Sequence, residues 1–152
     1  MILNGTFTFN GPRAKVWDIL QDPAVLAKAL PGTKSLTKVG ENRYEGVMKV
    51  SVGPMSAAEF AVNVELKDQV PPERFVMHVD GKGGVGFTKG TATIELIEST
   101  EQAGPVTVMH YSSDMQIGGK IAAVGQRLLE SVGKMMTKQA LDALNAELKA
   151  RL

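Results

Sequence analysis

The sequence contains no cysteine, which excludes disulfides, thiolate nucleophiles and sulfur-rich metal sites and suits a reducing compartment. Histidine occurs only twice, so a catalytic or metal-binding imidazole cluster has almost nothing to draw on. No apolar run reaches about 18 residues, and no basic segment leads a hydrophobic stretch behind Met1, so neither a spanning helix nor a secretory leader is expected. An excess of one charge is missing too: 17 Lys and Arg face 16 Asp and Glu, which offers no broad basic field for nucleic acid. These absences point to a soluble, cytoplasmic chain. At 152 residues it is long enough to bury a core within one domain, residues 1–152.

What is present is strongly patterned. From Gly118 to Leu152 there is no proline. Ile121, Val124, Gly125, Leu128, Leu129, Val132, Met135, Met136, Ala140 and Ala143 recur at helical spacing. A helix over this whole stretch would be roughly 50 Å long, with Gly125 leaving a gap on its inner face. Before it, residues 2–9 alternate as a strand. Pro12 and Asp22-Pro23 then start two short helices, the second capped by the aspartate, and Pro31-Gly32 ends the second.

Beyond Thr33 the period becomes two. Tyr44, Gly46, Met48, Val50 and Val52 share a face, as do Phe60, Val62, Val64 and Leu66; Phe75, Met77 and Val79; Ala92, Ile94 and Leu96; and Met109, Tyr111, Ser113, Met115 and Ile117. Val106 and Val108 fall out of phase. One apolar and one wet face is the pattern of antiparallel meanders. The expected fold is α+β: a curved antiparallel sheet of about seven strands, two short helices and one long C-terminal helix in a helix-grip arrangement.

Gly81-Lys82-Gly83-Gly84-Val85-Gly86 matches GxGxxG, but a strand rather than a helix follows, so the amides that would hold a pyrophosphate are missing. A glycine-rich hairpin is expected instead, with Lys82 and Lys89 placed to meet an acidic group or simply solvated. His78 and His110 alternate onto the outer face with the carboxylates, and no catalytic pair or metal set is spaced for chemistry.

Six of the eight methionines, Met48, Met77, Met109, Met115, Met135 and Met136, fall on inward faces. They are either ordinary core or the adaptable lining of a gap between a straight helix and a bent sheet. In the second case Trp17, Met48, Val50, Phe60, Val62, Met77, Tyr111, Met115, Val132 and Met136 line a site for an apolar molecule, Tyr111 offering a hydroxyl to a carbonyl head. Leu141, Leu144, Leu148 and Leu152 project to the opposite side of the long helix. They call for a cover such as a partner, a second copy or a membrane surface, unless the helix frays or bends there.

The elements Pro12-Arg13-Ala14-Lys15-Val16-Trp17, Asp22-Pro23, Leu30-Pro31-Gly32, the glycine-rich hairpin, and Gln116-Ile117-Gly118-Gly119-Lys120-Ile121-Ala122 followed by Gly125-Gln126-Arg127-Leu128 resemble the carbon monoxide dehydrogenase CoxG family. That family lies within the START-like superfamily. The resemblance implies a non-catalytic accessory to molybdenum hydroxylases of the carbon monoxide and xanthine dehydrogenase type. It further implies maturation or membrane recruitment of those enzymes, with a quinone in the cavity relaying electrons. Many members carry a hydrophobic anchor after the domain. This chain ends at Leu152 without one, so any membrane contact is expected to be peripheral, at the inner face, or through the hydroxylase subunits. Two other readings stay open: an assembly adaptor working through its outer surface, and a cyclase- or hydrolase-like enzyme needing an inward acid or base.

Overall fold

The alternating stretches pair with one another in the computed structural model, which describes residues 1–53, 55–102 and 104–152, with the backbone alone for 55–57 and 100–102. Seven strands, β1 (Ile2–Phe9), β2 (Thr33–Gly40), β3 (Arg43–Val52), β4 (Met55–Val70), β5 (Arg74–Gly83), β6 (Gly86–Gln102) and β7 (Gly104–Gly118), form one antiparallel sheet. Their order is β1-β7-β6-β5-β4-β3-β2. β1 and β2 therefore occupy opposite edges, and the helices α1 (Arg13–Gln21) and α2 (Pro23–Ala29) carry the chain across between them. The Asp22 side chain accepts from the Ala24 amide at 2.9 Å with Pro23 in the first turn of α2. This satisfies a free helix-end donor as the sequence predicts. Pro12 sits one place earlier than expected, at the N-cap of α1.

The terminal helix is shorter than its spacing predicts. After β7 comes a 3-10 turn, Lys120–Val124, and α3 itself runs Gln126–Ala150, about 37 Å at 1.5 Å per residue. Gly119 and Gly125 hold φ of 85° and 99°, a region that costs side-chain-bearing residues steric strain and glycine nothing. Gly125 is thus the break before the helix and does not hollow its inner face.

The valines that fell out of phase are explained by Thr107. It occupies the inward position opposite Phe9, fully buried, and its Oγ1 donates to the Gly11 carbonyl at 2.8 Å. The phase of β7 is unbroken: a threonine stands where a hydrocarbon was expected, because a buried carbonyl needed a donor. Val108 faces outward between Thr8 and Ile97.

The leucine stripe is corrected more fundamentally. Leu141, Leu144 and Leu148 are 7%, 3% and 0% exposed, packed in one cluster with Val16, Ile19, Val25 and Ala29 of α1 and α2. The first half of α3 lies over the sheet and the second half over the two short helices, so its apolar face must turn. The cover is the chain itself, and none of these three leucines is available to a partner. Asn145 and Asn10 fasten the same junction by reciprocal hydrogen bonds of 2.9 Å. Leu152 is 64% exposed, and Met135, expected inward, is 51% exposed on α3.

Tyr44 closes this end of the core. Its hydroxyl donates to the Gln21 carbonyl at 3.0 Å. Burial, and secondarily the Asp22 carboxylate, raise the phenol above its ordinary value of 10.0. The fold therefore keeps the proton where the unfolded chain loses it. Stability from this group is complete below the ordinary value and drains away as pH rises through the raised one. Tyr44→Phe is expected to cost about 1 kcal/mol near neutrality and to flatten the alkaline loss. Denaturant unfolding of both proteins across that range checks both effects.

Candidate functional site

Between sheet and α3 the interior is two packed clusters rather than one. The first, at the α1–α2 end, centres on Phe9, Ile19, Leu96 and Leu148; the second, at the glycine-hairpin end, contains Val52, Ala58, Phe60 and Ile121 with Val85, Val124 and Leu128 against it. Met48, Val79, Met115 and Met136 are half-buried and belong to neither. Within the sheet α3 approaches β1 and β3 most closely, and beyond it α1 and α2.

The middle of the inner face explains the separation. Cross-strand register sets Val64 beside Val79, Gly90 and Met115, with Gly46, Val62, Gly81 and Thr88 in the next row and Met77 beside Ala92. Inward positions occupied by Gly46, Gly81, Gly90 and Ala92 supply little or no side chain to reach the helix. The strip thus keeps accessible apolar surface under a covering helix, with methionines, the most adaptable hydrophobes, at its centre.

Of the ten expected lining residues, Met48, Val50, Val62, Met77, Tyr111, Met115, Val132 and Met136 share this half-buried inner face. Trp17 and Phe60 are instead taken up in the packed clusters, Trp17 meeting Phe75 edge to face at 5.4 Å. Sequence reasoning overlooked Gly81 and Gly90 as lining positions, although carrying the strand alternation through the glycines would have found them.

Polar groups facing inward are mostly committed. The hydroxyls of Tyr44 and Thr107 bond to backbone carbonyls, and Ser113 Oγ donates to the Leu3 carbonyl at 3.1 Å. Tyr111 lies across Gly5, where an added Cβ would meet the phenol oxygen at 2.5 Å, and among the described residues its hydroxyl has no hydrogen-bond partner. None of the described inward positions of β3 to β7 carries Asp, Glu or His.

The outer face is polar. A trough of about 470 Å³ crosses it, lined chiefly by Arg43, Glu65, His78, Asp80, Lys89 and Asp114. His78 Nδ1 lies 3.1 Å from Thr91 Oγ1, and His110 is exposed on β7, both where alternation puts them. Among the described residues no three His, Asp or Glu are grouped to hold a metal ion, and no helix is long and apolar enough to cross a membrane. The GxGxxG stretch forms the end of β5 and the turn into β6, with no helix behind it.

Residues 5–149 match the family model for the carbon monoxide dehydrogenase protein CoxG. Comparison with curated proteins gives no match. Among solved structures, a conserved protein from Geobacillus kaustophilus is 29% identical with a TM-score of 0.90, over 99% of this chain and 96% of that one. A START superfamily protein from Mycobacterium smegmatis has a TM-score of 0.72 at 9% identity, covering 99% of each chain. The Zhui aromatase/cyclase from Streptomyces sp. R1128 has a TM-score of 0.66 at 16% identity, over 99% of this chain and 94% of that one. At such identities these last two bear on the fold alone, which is START-like.

Proposed function

This chain belongs to the carbon monoxide dehydrogenase CoxG family, and from that premise we propose that it is a non-catalytic accessory protein of a molybdenum-containing hydroxylase of the carbon monoxide or xanthine dehydrogenase type. It works in the cytoplasm, holds an apolar molecule of quinone or lipid-like kind between sheet and α3, and serves the enzyme's membrane recruitment or electron delivery. The observation that carries this reading is the half-buried strip of Met48, Val79, Met115 and Met136 between two packed clusters. A chain selected only for stability would close such a strip, since apolar surface left accessible forgoes about 25 cal/mol per Å². The unpartnered Tyr111 hydroxyl at its margin gives a carbonyl-bearing head a donor. Among the described residues the inward strand positions offer no acid or imidazole for cyclase or hydrolase chemistry, which favours carriage over catalysis.

Trp17 is the sole tryptophan, so quenching of its fluorescence by an added short-chain naphthoquinone or benzoquinone reports binding directly. Saturable quenching is expected, and solvent extraction of freshly purified protein should release an apolar compound. Tyr111→Phe should weaken the quinone about fivefold, the value of one hydrogen bond of about 1 kcal/mol. Absence of both saturable quenching and any extracted compound would leave only a structural core.

A further inference from the structure

The two segments that make the glycine-rich end of the molecule, residues 81–89 and 116–129, contain Lys82, Lys89, Lys120 and Arg127 and not one aspartate or glutamate. This occurs on a chain whose charges otherwise nearly balance, 17 basic against 16 acidic. Tertiary structure joins the segments: Phe87 pairs with Gly118, and the Ile121 amide donates to the Val85 carbonyl at 2.7 Å. The β3–β4 turn comes to the same end, Gly53 lying against Leu128 of α3.

Lys89 faces Asp80 across the β5–β6 ladder, but Lys82, Lys120 and Arg127 form no ion pair among the described residues. The acids nearest in sequence are engaged: Glu59 by Lys34 at 3.3 Å, Glu130 by Gln126 at 3.1 Å. Amid these cations Phe87 is 45% exposed, its ring resting on Gly118, where a side chain would collide with it. Between the cations the surface is glycine, alanine, valine and isoleucine, with few side chains able to make directional hydrogen bonds.

We infer that this end docks on an anionic lipid surface, Lys82, Lys120 and Arg127 engaging the headgroup phosphates while Phe87 enters the headgroup–acyl boundary. An acidic protein surface would satisfy the cations as well, but it would leave Phe87 and its glycine surround without specific pairing. A fluid layer, charged outside and apolar beneath, matches both without requiring any. The inference rests on the proposed carrier reading in one respect: a water-insoluble molecule is collected from a bilayer, and the apolar strip begins just behind this end, past the cluster of Val85, Val124 and Leu128.

The test is sedimentation of the full chain with vesicles of phosphatidylcholine alone or mixed with phosphatidylglycerol. Binding is expected only to the mixed vesicles and should be released by salt. At about 1 kcal/mol for each cation near the surface, the combined Lys82→Ala, Lys120→Ala and Arg127→Ala protein should bind roughly a hundredfold more weakly. Lys38→Ala and Arg74→Ala, at the opposite end of the sheet, should leave binding unchanged. Phe87→Ser should weaken it with little change in salt dependence. No binding to mixed vesicles, equal binding to neutral ones, or undiminished binding by the triple variant overturns the inference, as does capture of an acidic protein by a chain that ignores vesicles. Quinone quenching measured on the same samples separates the two ideas: a chain that binds quinone but not vesicles loses this docking surface and keeps its cavity.

Discussion

Leu148→Ala is expected to lower the unfolding free energy by about 3–5 kcal/mol. Leu148 is fully buried, and its methyl groups stand 3.0–3.3 Å from where a Cβ on Gly11 would lie. The backbone at Gly11 leaves no room to collapse into the void, so the truncation keeps most of its cavity. Leu144→Ala, at 3% exposure in the same cluster, should behave alike. Leu152→Ala, at a side chain 64% exposed, should fall within about 0.5 kcal/mol of the parent. Urea denaturation of the three variants decides whether the stripe is internal core. A Leu148→Ala protein of parental stability would mean that α3 leaves its end free for another molecule.

Val132→Phe should reduce quinone binding at least about a hundredfold, equivalent to about 3 kcal/mol, while leaving the melting temperature unchanged or raised. Val132 is half-buried on the sheet-facing side of α3, beside the strip where Gly46, Gly81 and Gly90 withhold side chains. A phenyl ring there fills space that the ligand would otherwise occupy. The sign of the stability change carries the information, because forcing extra carbons into a closely packed interior costs about 1–3 kcal/mol. A destabilised Val132→Phe protein would therefore show an interlocked core with no room for cargo. A stable one that no longer quenches with quinone would locate the ligand between α3 and the sheet.

Both predictions turn on contacts that the sequence alone represented unevenly. Alternation at Tyr44 to Val52, Phe60 to Leu66 and Phe75 to Val79 identified inward faces correctly, because a pleated strand leaves a side chain no third direction. The same rule put His78 and His110 on the wet face. The Asp22-Pro23 start of α2 was legible because capping is settled within one turn. Gly125 was misplaced because helical spacing continues across it. Apolar periodicity does not register a backbone φ, and the 99° there ended one helical turn and began another helix.

The sequence by itself determined the period of each element, the face each buries, the caps and breaks that local chemistry enforces, and the acid-free composition of two separate segments. Only the tertiary structure decided what each face meets. It set Leu141, Leu144 and Leu148 against helices more than a hundred residues earlier in the chain, made Thr107 the donor for Gly11, and gathered Lys82, Lys120 and Arg127 onto one end. The physical reason is that local preferences act over a few bonds, whereas a buried surface is satisfied by any apolar face of fitting shape. Which face arrives is fixed by strand order, here by β1 leaving the far edge of the sheet so that two short helices cross beneath the end of α3.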